Sequence, residues 1–202
     1  MTSRTTTAAA IALVAGLAFI AGRASDGLVA PGARAAQPEG QWAPPAPGPM
    51  HEHLKQMVGA WEGSVRFRMG PGEDWMESTG TIRRELAMGG RFVIERVTGE
   101  GPGGEDFKGM GIVGYNDMEG HYESVWIENM ANHMSMATGT YDANTKTFTF
   151  KGDMIDMTGQ KQKTVMTLDA SDPDKEVSAG YIINADGSRT KNFEGTFTRT
   201  GN

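Results

Sequence analysis

Nine clusters of turn-forming residues punctuate the chain after residue 59, leaving room for ten short strands and little else. In order they are Gly70-Pro71-Gly72, Gly89-Gly90, Gly99 to Gly104, Asn116 to Gly120, Ala131-Asn132, Asp142 to Lys146, Thr158-Gly159, Ser171 to Asp174 and Asp186-Gly187. Gly, Pro, Asn and Asp supply the backbone angles and local hydrogen bonds that reverse a chain within a few residues. The runs between them are rich in Thr, Val, Ile, Phe and Tyr, as strands require. None of the gaps is long enough for the crossover that joins parallel strands, so neighbouring strands are expected to pair antiparallel throughout. The chain's 28 glycines in 202 residues fit this reading and not a helix bundle.

Alternation gives each strand a face. In the first, Trp61, Gly63, Val65, Phe67 and Met69 share one side, against Glu62, Ser64, Arg66 and Arg68. In the last, Phe193, Gly195, Phe197 and Arg199 alternate with Asn192, Glu194, Thr196 and Thr198. Ten sequential half-buried strands suit a sandwich or a barrel. Closing the first strand on the last removes both exposed edges, which favours a single antiparallel up-and-down β-barrel. Before it, Leu54, Met57 and Val58 recur at helical spacing between Met50 and Gly59, predicting one short N-terminal helix.

Strand parity points Trp61 and Arg199 inward at the seam where such a barrel closes. A guanidinium over the indole face there is worth roughly 0.5–2 kcal/mol, and Gly59, Trp61 and Arg199 would together lock the barrel. The other reading is an exposed terminal arginine and an ordinary core tryptophan, since a single bulge inverts the parity.

Gly59-x-Trp61 with Arg199 on the last strand resembles the signature of the lipocalin and fatty-acid-binding (calycin) barrels. The longer order is Gly59-x-Trp61-x-Gly63, Gly89-Gly90-Arg91-Phe92, Gly109-x-Gly111 to Gly114-Tyr115-Asn116, Trp126-Ile127-Glu128-Asn129, Gly139-Thr140-Tyr141-Asp142 and Phe197-Thr198-Arg199. It resembles the bacterial domain-of-unknown-function family 1579 over roughly Met50 to Thr200. The resemblance implies a calycin-like barrel and brings no catalytic residues with it. It contrasts with the ten-stranded haem-binding nitrobindin barrels, whose histidine ligand comes late in the chain, because the last histidine here is His133.

The N-terminus has the layout of an export signal. Arg4 precedes an apolar run from Ala8 to Gly22, and Ala33-Arg34-Ala35 offers a small-x-small cleavage pattern. Residues 1–36 are therefore expected to be a signal peptide, or an N-terminal anchor if uncleaved, which makes the protein periplasmic, secreted or membrane-tethered. Residues 37–49 contain five prolines and read as an extended linker, with the barrel over residues 50–202. Removing residues 1–36 takes three arginines and one aspartate from 19 basic and 25 acidic residues, which leaves a net charge of −8. An acidic domain without a basic cluster is not built to track nucleic-acid phosphates, and the membrane enters only through the N-terminal segment. The chain has no cysteine, which excludes disulfides and lipid attachment through an N-terminal Cys.

Candidate ligand-contacting residues are Arg84, Trp126, Glu128, Met134, Met136 and Tyr181. Met76, Gly80, Ile82 and Leu86 define an inner face that carries Ser78 and Arg84 with it; an inward arginine signifies an ion pair or an anionic ligand group. Tyr122, Ser124, Trp126 and Glu128 share one face of the fifth strand and Val125 and Ile127 the other, and either face can be the inner one. Met134 and Met136, near His133, suit soft packing of an interior, with Cu(I) ligation the minor reading. No metal or cofactor is expected. His51-Glu52-His53 lacks metalloprotease spacing, and both histidines are expected in solvent. Gly109, Gly111 and Gly114 match the dinucleotide-binding spacing in letters only, because a turn and not a helix follows. The expected function is binding of a small apolar or amphiphilic molecule by a monomer or weak homodimer. The alternatives are a protein-interaction barrel with a packed interior, and an enzyme using an internal Arg/Glu/His pocket.

Overall fold

The computed structural model describes residues 44–201 apart from 69, 71, 102 and 156–158. The expected export segment, the linker before Pro44, and the inward placement of Met69 lie outside the described residues. A short helix α1 (Pro49–Glu52) runs directly into a 3₁₀ turn (His53–Met57). Ten strands follow: β1 (Gly59–Phe67), β2 (Met76–Ala87), β3 (Phe92–Glu100), β4 (Asp106–Asn116), β5 (His121–Glu128), β6 (Ser135–Asp142), β7 (Thr147–Ile155), β8 (Lys161–Asp172), β9 (Lys175–Ile183) and β10 (Arg189–Gly201). Each pairs antiparallel with its chain neighbours, and β1 pairs with β10, so the sheet is a closed up-and-down barrel. Every predicted turn cluster falls at or across one of the nine connections.

The helical segment plugs the end of the barrel where β1 begins and β10 ends. Its apolar side chains go into the interior: Leu54 is fully buried and Met57 nearly so, packed with Val93, Tyr122, Phe148, Phe150 and Leu168. Burying one such side chain stabilises by roughly 1.5–3 kcal/mol. The polar tips of the surrounding rings are used to hold the plug. Tyr122 donates its hydroxyl to the Met50 carbonyl at 2.7 Å, and the Gln56 amide donates to the Tyr141 hydroxyl at 2.8 Å. Burial, with Tyr115 and Tyr141 beside it, pushes the Tyr122 phenol above its ordinary range, so it stays a donor. The two histidines expected in solvent are part of this packing. His51 is only 5% exposed, accepts from the Gly48 N–H at Nδ1 and meets Tyr115 edge-on, while His53 stacks on Tyr141 at 4.2 Å.

At the seam, Trp61 on β1 lies directly opposite Arg199 on β10, and the guanidinium carbon stands 4.0 Å from the indole centroid. The same guanidinium donates to the carbonyls of Val58, of Gln56 and, through Nε at 2.7 Å, of Pro173 in the β8–β9 turn. Trp61 in turn donates Nε1–H to the Met57 carbonyl at 3.2 Å. The carbonyls left unpaired at the end of a helical segment thus receive a cation and an indole N–H. Gly59 makes this possible: it has φ +135°, and a β-carbon there would overlap the Arg199 guanidinium.

Trp61→Ala is expected to lower unfolding free energy by about 3–5 kcal/mol, read as a fall in the denaturant midpoint. Gly59→Ala should lower it by roughly 1–3 kcal/mol through backbone strain alone, although it adds only a methyl group. If Gly59→Ala melted with wild-type midpoint, the close approach of Arg199 would not be a constraint on this fold.

Candidate functional site

The interior divides into two halves of different character. Toward the plug it is filled by rings, with Tyr122 and Phe148 fully buried and in edge-to-face contact at 5.3 Å. Below them Trp61, Ile82 and Phe197 form a second buried group with Val65 and Val97 at its margin. At the plugged end, where Arg84 pairs with Gly59, lies an ionic triad of two buried residues and the half-buried Glu95. Arg84 on β2 forms a bidentate pair with Glu176 on β9, Nη2 to Oε1 at 3.0 Å and Nη1 to Oε2, and its Nε donates to Glu95 on β3. Because β1 and β10 separate β2 from β9 in the sheet order, the Arg84–Glu176 pair spans the interior along a chord. Burial alone would lower the Arg84 pKa; the carboxylates of Glu95 and Glu176 outweigh it and hold the guanidinium charged. The ion-pair reading of Arg84 is the one this geometry matches: three of its N–H groups face protein carboxylates.

The mouth half is more open. Met166 is in register with the buried Phe150 and with Gly180, and its methyl carbon reaches within 3.4 Å of the place a Gly180 β-carbon would occupy, so it belongs to the inner face. It is nevertheless 39% exposed in mid-strand. A side chain at that depth stays accessible only where nothing fills the space beside it.

Trp126 forms one wall of this half. Tyr122, in the same alternating set, is fully buried, so the face carrying Ser124, Trp126 and Glu128 is the inner one. The indole lies along β4 over two glycines: a β-carbon at Gly109 would overlap its six-membered ring, and one at Gly111 would stand 3.3 Å from Cε3. Trp126 Nε1 donates to Glu128 Oε2 at 2.8 Å, and Phe107 stacks alongside at 6.5 Å. One face of the ring is therefore pressed to the wall with its only polar atom satisfied, and the half-buried side chain presents the other face inward. The Gly109-x-Gly111 pair, accidental as a dinucleotide motif, is the track this ring needs.

Three expected contact residues stand elsewhere. Met134 lies in the β5–β6 connection at 68% exposure, and Met136, in register with Val125, lies on the outer face at 67%. The inner positions of β6 before Tyr141 are instead the small Ser135, Ala137 and Gly139, and the Phe150 ring occupies the space a Gly139 side chain would need. Tyr181 also points outward, opposite in parity to the inner Glu176, Ser178 and Gly180, with the Lys191 ammonium 5.6 Å from its ring centroid. Sequence reasoning missed Glu95 and Glu176. Glu176 carried a signal, since it alternates with Ser178 and Gly180 and an inward arginine needs a buried acid; Glu95 shares parity with Val93 and Val97.

Two clefts of about 410 and 420 Å³ indent the mouth half of the wall over β10–β1–β2 and β2–β3–β4. Their linings mix inner residues such as Val65 and Gly80 with outer ones such as Glu77 and Thr81, so they follow the bends of the wall; the second reaches Phe107, the neighbour of Trp126. Among the described residues no group of His, Asp and Glu side chains converges as a metal site.

Among solved structures, the chain is similar to Rv2717c from M. tuberculosis, with a TM-score of 0.55 at 13% identity, covering 76% of this chain and 98% of that one. It is also similar to the S-type phycobiliprotein lyase CPES from Guillardia theta, with a TM-score of 0.51 at 12% identity, covering 74% and 92%. At these identities the likeness is one of fold. No curated protein matches the chain. A family model described as "Protein of unknown function (DUF1579)" matches residues 46–199, a span that contains the plug, the closing pair and every strand but the last residues of β10, and the chain belongs to that family.

Proposed function

We propose that this protein is an exported carrier that holds a small, partly apolar molecule in the mouth half of its barrel, stacked on Trp126. The observation that carries this reading is the indole laid over Gly109 and Gly111 with its N–H already satisfied by Glu128. Such a ring offers a flat apolar surface with no polar debt, the usual wall of a small-molecule site. The accessible inner side chain of Met166 supports space beside it. The fold shared with a phycobiliprotein lyase is compatible with a small-molecule ligand. The apolar run at Ala8–Gly22 supports delivery across a membrane before the carrier acts.

A second reading, association through the outer wall, is favoured by one observation. Ile112, Val125 and Met136 stand side by side across β4, β5 and β6, with Met110 beside Ile127 in the next row. Ile112, Met136, Met110 and Ile127 are all exposed. A second copy is the partner to test first, by sedimentation of wild type against Met136→Lys.

Native mass spectrometry of protein purified gently from its own host should show an added mass of a few hundred daltons; apo protein alone, in repeated preparations, would count against carriage. Trp126→Ala and Gly109→Val should both lose that mass, the second because a branched side chain displaces the ring. Arg84→Met should behave differently. It leaves the buried Glu176 carboxylate and the half-buried Glu95 carboxylate without their cation and is expected to cost about 3–5 kcal/mol of stability, measured by denaturant unfolding.

A further inference from the structure

We infer that the ligand is a planar molecule bearing a positive charge or several N–H donors, held on the Trp126 face between the carboxylates of Glu95 and Glu128; this rests on the carrier reading above. The inner faces of the described strands carry three carboxylates, Glu95, Glu128 and Glu176, against two guanidinium groups, Arg84 and Arg199. Arg199 is committed at the plugged end to backbone carbonyls and Trp61. Arg84 is committed to Glu176 through both terminal nitrogens. What remains on the mouth side of that pair is acidic.

Glu95 is the residue that gives this charge a position. Its Oε2 accepts from Arg84 Nε, while its Oε1 has no protein partner among the described residues. No buried side-chain oxygen in the described structure lacks a partner, so Oε1 is reached by solvent, and the side chain as a whole is 19% exposed. Register pairs Glu95 with Gly111, and the point where a Gly111 β-carbon would stand is 3.3 Å from both Glu95 Oε1 and Trp126 Cε3. One edge of the indole thus lies beside the Glu95 carboxylate. The opposite edge carries Nε1, bonded to Oε2 of Glu128, whose other oxygen has no protein partner among the described residues.

An aromatic face bracketed by two carboxylates is complementary to a flat cation. The ring quadrupole attracts the charge, and the carboxylates accept charge-assisted hydrogen bonds from N–H groups at the rim of the ligand. A carboxylate or phosphate in the same place would meet like charge in a partly desolvated site, and the inner faces of the described strands offer it no uncommitted cation. The domain's net acidity works in the same direction over longer range by raising the local concentration of cations.

The test uses three fused tricyclic probes of one size, titrated at low salt against the mature protein with fluorescence as readout: the 9-aminoacridine cation, neutral acridone, and acridine-9-carboxylate. The cation should bind best and the carboxylate worst, on the order of tenfold or more apart, as expected for a cation–π contact of about 1.4 kcal/mol. Glu128→Gln, which keeps an acceptor for Trp126 Nε1 and leaves the Arg84 triad intact, should reduce cation affinity and leave acridone binding unchanged. Glu95→Gln should do the same, with far-UV circular dichroism as the check that it folds. Equal or tighter binding of the carboxylate would overturn the charge assignment while leaving the carrier reading in place. Binding of none of the three, with no co-purifying mass, would overturn both.

Discussion

The Arg199 guanidinium is the point through which the ends of this fold are joined. It lies over Trp61 on the first strand, belongs to the last strand, and donates to carbonyls of the plug and of the β8–β9 turn. A closed barrel of sequential strands needs such a device, because β1 and β10 are the pair with the greatest separation along the chain. Forming that pairing costs the most loop-closure entropy of any strand contact. Arginine suits the task better than lysine, since a planar group with five donors can stack on a ring and bond three carbonyls at once. The glycine at position 59 follows as a consequence, not as a separate feature: any larger residue would occupy the guanidinium's place.

From that closed end the interior changes in stages toward the mouth. The rings around Leu54 and Met57 are closely packed, and the Arg84–Glu176 chord lies at the same plugged end, where Arg84 pairs with the first residue of β1 and Glu176 is the second residue of β9. A buried ion pair is a poor source of net stability, because desolvating both charges offsets most of their attraction. Its value here is positional. It fixes β2 against β9 across the barrel, and through Arg84 Nε it also holds one oxygen of Glu95 on β3.

The parts of this arrangement legible in sequence were those with a strict period. Nine turn clusters gave ten strands, and the alternation of Trp61, Gly63 and Val65, like that of Gly195, Phe197 and Arg199, gave the inner faces of β1 and β10. The errors came from assuming that the larger side chain of an alternating pair points inward. Beside Met136 and Tyr181 the inner positions of β6 and β9 are small, Ser135, Ala137 and Gly139 or Ser178 and Gly180, while Met136 and Tyr181 themselves stand outside. Rings on neighbouring strands cause this: Phe150 covers Gly139, and the Phe193 side chain crowds Gly180. The bulge at Asn192, where Lys191 pairs with Tyr181 but Phe193 pairs with Gly180, adds a local change of phase that no single strand announces. The buried His51 and half-buried His53 were misjudged for a related reason, since their partners Tyr115 and Tyr141 come from strands far along the chain.

The glycines of this chain therefore do two different jobs, and the distinction bears on where function lies. Gly63 and Gly152 leave out side chains that would collide with backbone of the adjoining strand, which marks places where the wall bends sharply. Gly109 leaves out a side chain that would collide with an indole and Gly111 one that would press on it at 3.3 Å, and neither would meet backbone as closely. A bend requires glycine whatever the barrel contains. A track that lays a tryptophan flat against the wall has no such necessity, because a barrel that needed only a filled core would let that ring project into it as Phe148 does. The glycines under Trp126 thus let the indole lie flat against β4 with its Nε1 satisfied by Glu128, which is the placement the proposed carrier role requires of that ring.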